Sequence, residues 1–266
     1  MVERVPPTAV ALALTLTALL PIGPVAARTG VASAPPPRPL AGRTVVIDPG
    51  HQLGNVRHPA QIGRSVWYGY GRKQCDTTGT ATNAGFPEAT FTWRVARRLE
   101  HRLAALGARV IMTRTTNSPS AWGPCVDVRG RRGNREHADL KISIHGDGSY
   151  APGAHGFHVI YAPDRGITAD TYRASRALAL DTRAALQAAG FSRANYIAGG
   201  DGLDERSDLG TLDLSDMATV LVECGNMRDR GDARRMMAPA GQERYAEALV
   251  RAARHYLATH PARRAK

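Results

Sequence analysis

Strand-like and helix-like segments alternate along residues 43–258. That alternation predicts an α/β fold: a mostly parallel or mixed, twisted sheet of about six strands flanked by helices on both faces. Two further observations support it. The strand candidates are short β-branched apolar runs that end in turns, as buried strands do. The helix candidates repeat apolar residues at three- and four-residue steps, giving one apolar face. The composition allows a core of this size. The chain has 266 residues, 43% hydrophobic and 22% charged, which is globular rather than disordered, collagenous or multi-span membrane. A chain this long buries about 70% of its unfolded surface and needs no disulfide framework to fold.

Residues 43–48 are a β-branched run ended by Pro49-Gly50, a buried strand and a turn. Residues 52–86 are rich in Gly, Thr and Asn without a period; so long a connection is functional or carries a small hairpin. Pro87-Glu88 opens a helix whose apolar face is Phe91, Val95, Leu99, Leu103 and Leu106, and Gly107 stops it. Strands are expected at 108–113, 140–145 and 156–161, and a short Arg-rich helix at 126–137. A helix at 168–189 closes on Gly190, residues 194–198 suggest a short strand, 217–222 a strong one, and 242–258 a closing helix.

Residues 1–27 read as a secretory signal. Arg4 gives a weak basic start, blunted by Glu3; an apolar run from Ala9 to Leu20 follows, then Pro21 and Pro24, and small residues at Val25-Ala26-Ala27. The run is shorter than the roughly 20 residues a bilayer span requires. No stable membrane insertion is therefore expected once the signal is cut, and the mature chain is expected to be secreted, periplasmic or in the cell-wall space. Residues 28–42 hold the stretch Ala34-Pro-Pro-Pro-Arg-Pro39, a stiff extended spacer. One domain of about 220 residues follows, over 43–260, with no internal repeat; a monomer is expected.

Export permits disulfides. Of the three cysteines, Cys75 lies in a Gly/Thr-rich loop, Cys125 beside Gly123-Pro124, and Cys224 at the end of an apolar strand. The favoured pairing is Cys75–Cys125, with Cys224 a buried free thiol; three reduced thiols are the alternative. Closing a loop of that length stabilises by about 4 kcal/mol in the chain-entropy model.

The chain carries 35 Lys+Arg against 23 Asp+Glu, a net charge of +12. Lysines occur at 73, 141 and 266 alone, so 32 of the basic residues are arginines. Arginine presents a planar fork to phosphates and carboxylates, so a polyanionic partner is one reading. The codon bias of a GC-rich genome is the other. A nucleic-acid binder is disfavoured by the export signal and by an aromatic content of 6%.

Four candidate site residues fall where elements end. His51 follows the first strand, Glu88 begins the first helix, His145 ends a strand, and Glu223 ends the strand before Cys224. Ligands in an open α/β sheet bind outside the carboxyl ends of its strands. Two imidazoles and a carboxylate make a zinc set with an open position, and a second carboxylate supplies a general base. Asp48 is placed either to orient His51 or to cap the turn. His58, His101, His137, His155 and His158 are read as surface or structural. The spacings match no short local motif, so chemistry alone leaves the site open.

The residues also resemble a family. Thr44-Val-Val-Ile-Asp-Pro-Gly-His51 resembles the first-strand motif of the zinc-dependent N-acetylmuramoyl-L-alanine amidases. Glu88 with its apolar helix resembles the second ligand segment. Asn134, Ala138-Asp139 and Ile142-Ser-Ile-His145 are similar to the third, and Val220-Leu-Val-Glu-Cys-Gly225 to the segment bearing the catalytic glutamate. The four blocks stand in family order across residues 43–258 and look like those of the single-domain actinobacterial branch. Two departures stand out: Gly146-Asp147 where the family often has Ala-Asn, and Met217-Ala218 where a proline is common.

The resemblance implies a phosphorylase/hydrolase-like fold and Zn2+ held by His51, Glu88 and His145, with Glu223 as general base. The implied substrate bond joins N-acetylmuramic acid to L-alanine of the peptidoglycan stem peptide. Rival readings are a non-catalytic wall-binding module of the same fold, and a zinc exopeptidase or deacetylase acting on another polymer. Wall polymers carry carboxylates and phosphates, so the surplus arginine charge is expected to hold the protein on them. Sedimentation with purified wall should weaken steeply as salt rises; salt-insensitive binding would leave the arginines to codon bias.

Overall fold

The computed structural model describes residues 1–4 and 38–262. A division after residue 36 sets an N-terminal unit apart, and the fold described is that of the second unit. The expected signal segment lies outside the described residues beyond its first four, as does most of the spacer. Packing begins earlier than Arg43: Leu40 is buried, and its N–H donates to the Leu106 carbonyl at 3.0 Å.

The strands are β1 (Thr44–Pro49), β2 (Ser65–Trp67), β3 (Arg72–Gln74), β4 (Arg109–Met112), β5 (Leu140–Asp147), β6 (His158–Tyr161), β7 (Leu203–Glu205) and β8 (Ala218–Asn226). Six form one mixed sheet in the order β4-β1-β5-β8-β6-β7, and β2 and β3 pair as a hairpin within the 52–86 connection. The first four in that order run parallel; β6 is antiparallel to β8 and parallel to β7. The helices are α1 (Pro59–Gly63), α2 (Glu88–Ala105), α3 (Val126–Arg131), α4 (Ala169–Ala188), α5 (Gly210–Asp213), α6 (Arg230–Met237) and α7 (Pro239–Thr259). Helices α2, α4 and α7 cover one face, over Val45, Ile47, Ile142 and Val222. Helices α3 and α5 lie against the other, where Leu212 meets Ile160 and Leu221.

Several segments differ from the sequence expectation, and β5 and β8 run past His145 and Glu223, which the sequence places at strand ends. The 194–198 strand is reduced to a bridge between Phe157 and Arg193. The left-handed φ angles of Ala198, Gly199, Gly200 and Gly202 turn the chain before it pairs again as β7. Helix α3 stops at Arg131 instead of 137: Gly133 adopts φ +93°, and a Cβ there would lie 2.4 Å from a Val46 methyl. Helix α6 was not expected, being mostly charged; Asp229 caps it by accepting from the Gly231 and Asp232 N–H groups, and Met236 anchors it.

The strand order reverses at β1: β4 lies on one side of it and β5 on the other. Such a switch leaves a crevice beyond the strands' carboxyl ends. Two buried arginines hold the turn that enters it. Arg114 donates to the carbonyls of Pro49 (3.1 Å) and Ala89 (2.9 Å). Arg129 donates to the carbonyls of Pro49 (2.7 Å) and His51 (2.9 Å) and to Asp48 Oδ1 (2.7 Å). Asp48 also accepts from Thr113 and Ser143. Burial opposes its charge, yet Arg129 and these donors hold its pKa far below the carboxylate range.

Removing one partner of a buried ion pair strands the other charge. Arg129→Met should therefore cost about 3–5 kcal/mol in urea unfolding. A loss under about 1 kcal/mol would mean that water already shares the load.

Candidate metal centre

The turn at 49–51 is built for close approach. A Cβ on Gly50 would lie 2.3 Å from the His145 ring, so a side chain there is excluded. His51 sits at φ +56°, a left-handed conformation uncommon for a non-glycine residue and concentrated at functional sites. The hydrogen bonds from Arg114 and Arg129 to the Pro49 and His51 carbonyls hold that conformation in place. The His51 and His145 rings stand edge to face, centroids 5.0 Å apart.

Glu88 enters between them from the first turn of α2. Its Oε1 lies 2.9 Å from His145 Nδ1 and 3.4 Å from His51 Nε2; its Oε2 accepts the Thr80 N–H at 2.8 Å. A dipole-capping role is thus not its task, because the carboxylate faces the imidazoles. One donor atom from each of His51, Glu88 and His145 lies within 4.8 Å of the others, so the three can hold a metal ion. Gly79 leaves room for the set: a Cβ there would come within 2.8 Å of both Glu88 Oε2 and His51 Cδ2.

Electrostatics favour a cation at this point. Burial works against both charges, yet the imidazoles hold Glu88 below the carboxylate range, while Glu88 and Asp76 hold His51 well above the usual imidazole value. A proton occupies the lone pairs that a metal would take, and the two compete. Nitrogen and oxygen donors of this kind, three in number, suit zinc with a position left open.

Sequence reasoning did not find the residue behind His51. Asp76 Oδ1 lies 3.0 Å from His51 Nδ1, and Asp76 Oδ2 accepts from Asn55 Nδ2 (3.1 Å) and Arg129 (3.4 Å). A carboxylate behind a ligand imidazole fixes its tautomer and raises its basicity. Asp48 neither orients His51 nor caps the turn; it is the counter-ion of Arg129. Cys75 and Cys125 form a disulfide. It ties the Asp76 loop to the start of α3, and the Cys75 carbonyl accepts the Val126 N–H at 2.7 Å. Cys224 is buried and free as expected, and burial pushes its thiol well up.

Glu223 stands beside the set, the register partner of His145 across β5 and β8. Its Oε2 is buried without a hydrogen-bond partner. Burial, then Glu88 and Asp147, push its pKa well above the carboxylate range. All four residues line one cleft of about 590 Å³, and residues 77–81 of the long connection form one of its walls. His58, His101, His137 and His155 do not line it. His158, read as surface or structural, is 2% exposed and is the register partner of Glu223.

An α/β sheet with a histidine–glutamate–histidine set at its switch point, and a buried carboxylate alongside, is the layout of a metal-assisted hydrolase. Comparison with known proteins agrees. A family model described as N-acetylmuramoyl-L-alanine amidase matches residues 45–255. An N-acetylmuramoyl-L-alanine amidase of Mycobacterium tuberculosis is 43% identical over 240 residues, covering 88% of this chain and 95% of that protein. The crystal structure of an N-acetylmuramyl-L-alanine amidase from Mycobacterium smegmatis matches with TM-score 0.76 at 40% identity, over 83% of this chain and 99% of that one. The apo form of the Mycobacterium abscessus enzyme matches with TM-score 0.75 at 42% identity, over 82% and 100% of the two chains. An amidase from Clostridium difficile, 20% identical with TM-score 0.63, shares the fold. The chain belongs to the N-acetylmuramoyl-L-alanine amidase family and is an enzyme of that class.

The Asp76 contact makes a specific expectation. Asp76→Ala should weaken metal binding by about 10–100-fold while the fold persists. Titration against a chelating dye measures this, and unchanged affinity would remove Asp76 from the site.

Proposed function

We propose that this amidase is an exported, zinc-dependent enzyme that cleaves the amide between the lactyl carbonyl of N-acetylmuramic acid and L-alanine of the stem peptide. The observation that carries the zinc reading is the convergence of His51, Glu88 and His145 on one point, beside a carboxylate with an unpartnered buried oxygen. His51 and His145 would hold the ion through ring nitrogens and Glu88 through Oε1. When bound there, zinc supplies Lewis acidity and lowers the pKa of a water.

The remaining steps belong to the protein. Glu223 takes a proton from the attacking water as the new C–O bond forms at the lactyl carbon. It returns that proton to the alanine nitrogen as the C–N bond breaks, leaving a free carboxyl on the sugar and a free amine on the peptide. Asp76 holds the His51 ring, and Thr80 holds the second oxygen of Glu88. The four residues come from a single chain, which supports a monomeric active unit.

Residues 43–260 are the catalytic domain in this reading, preceded by a cleaved signal at 1–27 and a spacer at 28–42. The substrate class of the family lies outside the cytoplasm, which supports export. Among the described residues no helix is long and apolar enough to cross a membrane.

Glu223→Ala should keep about one zinc per chain and lose hydrolysis by roughly 10²–10⁴-fold, the usual contribution of a general base. Mass analysis of digested peptidoglycan should show stem peptides with free N-terminal alanine. These should vanish with a chelator and return with added zinc. Full activity of Glu223→Ala would end the general-base role, and products cut elsewhere would end the substrate assignment.

A further inference from the structure

Three side chains stand in one row across adjacent strands, and the first two of them line the cleft. His145 on β5, Glu223 on β8 and His158 on β6 are direct register partners. Their side chains therefore leave the same face of the sheet, and the β8–β6 pair lies about 5 Å apart at Cβ. His145 is engaged with Glu88. The other two are not so engaged. Glu223 Oε2 and His158 Nδ1 are both buried, and neither has a hydrogen-bond partner.

Unpartnered buried polar atoms are rare because each forfeits its hydration. Here the two stand on directly opposed side chains, and an imidazole N–H and a carboxylate oxygen are complementary as donor and acceptor. Packing alone does not call for an imidazole here. The next residues on this face are Ile160 and Leu221, which build an apolar cluster with Leu212.

The imidazole is held in place. Its ring meets Tyr196 edge to face at 6.2 Å, and the Tyr196 hydroxyl donates to Asp147 Oδ2 at 2.8 Å. Burial, against the opposing pull of Asp147 and Asp204, lowers its pKa. A neutral ring offers one N–H and one lone pair.

We propose that His158 is the positioning residue of Glu223: its Nδ1–H donates to Glu223 Oε2, directly or across one water, and keeps Oε1 turned to the reacting atoms. The inference rests on Glu223 being the proton carrier of the proposed reaction. A carboxyl that takes a proton on Oε1 must return it from the same side. Rotation about Cγ–Cδ would carry that proton away from the leaving nitrogen. Oε2 accepts a hydrogen bond whether or not Oε1 is protonated, so the contact from His158 persists through both transfers.

The test compares His158→Phe, His158→Asn and His158→Gln in the zinc-loaded full chain, with stem-peptide release from a soluble muramyl peptide as the readout. His158→Phe keeps a ring of similar size without a donor. It should lower kcat by about 10–100-fold, the usual effect of losing such a supporting partner, with zinc content and KM unchanged. Asn places its amide nitrogen near the Nδ1 position and should restore much of kcat. Gln reaches toward the Nε2 position and should not.

A kcat within about twofold of the parent in His158→Phe overturns the proposal, and so do equal losses in all three variants tracking a falling Tm. Should His158→Phe fail to fold, the other two decide: Asn no better than Gln also overturns it. Glu223→Ala separates the two ideas. An inactive Glu223→Ala with a fully active His158→Phe sinks the positioning role alone, whereas an active Glu223→Ala sinks both.

Discussion

The architecture of the site depends on one constraint: the turn after β1 must hold His51 in a left-handed conformation against the His145 ring. Nothing in the local sequence does this unaided. Pro49 and Gly50 permit the turn, but two buried guanidiniums fix it. Arg129 spans the carbonyls of Pro49 and His51, and Arg114 spans Pro49 and the first turn of α2. Glu88 begins that helix, so Arg114 ties one candidate ligand to the turn that carries another. Arg129 meets Asp76, the partner of His51, on its far side. The two arginines thus convert separate elements into one rigid frame. Burial and the charge of Arg129 push Arg114 down to about 9, so both remain cationic at neutral pH. The anionic partners of Arg129, Asp48 and Asp76, are buried with it.

Much of the fold was legible because it follows from periodicity. The first strand, the helix from Glu88 and the strand before Glu223 each repeat their apolar residues over a length that fits one element type. The misses share a physical origin. β7 has three residues, too few to show a period, and its pairing with β6 is a tertiary fact. Helix α6 is charged along most of its surface and is held by a cap and one buried methionine. Helix α3 is cut short by the approach of Gly133 to Val46, a contact between residues far apart in sequence.

The site divides in the same way. His51 follows β1, Glu88 opens α2, and His145 and Glu223 lie in the carboxyl-terminal halves of β5 and β8, so the sheet gathers them at one edge, and the family resemblance singled them out in the sequence. Asp76, Arg114, Arg129 and His158 could not be read this way. Each meets a partner 25 or more residues away in the chain. The signal available for Asp76 was its place beside Cys75, whose disulfide pins the loop. For His158 it was the alternation of β6, which places it on the face of Ile160. Both alternatives for the arginine excess also need a third beside them. Arg114 and Arg129 are interior structure, and Arg43 joins Asp139 to the carbonyls of Leu257 and His260. Only the remaining exposed arginines are free to meet a polyanion.

The acidity of the cleft links the metal to the base. Glu88, Asp147 and Glu223 crowd one wall, and their mutual repulsion with burial drives Glu223 toward its protonated form. A protonated carboxyl cannot accept a proton from water. A base works best with a pKa near the working pH, so upward pressure is useful only up to that point. A divalent cation on the His51–Glu88–His145 set offsets the charge of Glu88, the largest of the neighbouring charges acting on Glu223. It therefore returns Glu223 toward the ionised state while leaving the influence of burial and Asp147 in place. In the proposed reaction such a cation would do more than activate water: the charge that orders the ligands would also make the neighbouring carboxylate available as a base.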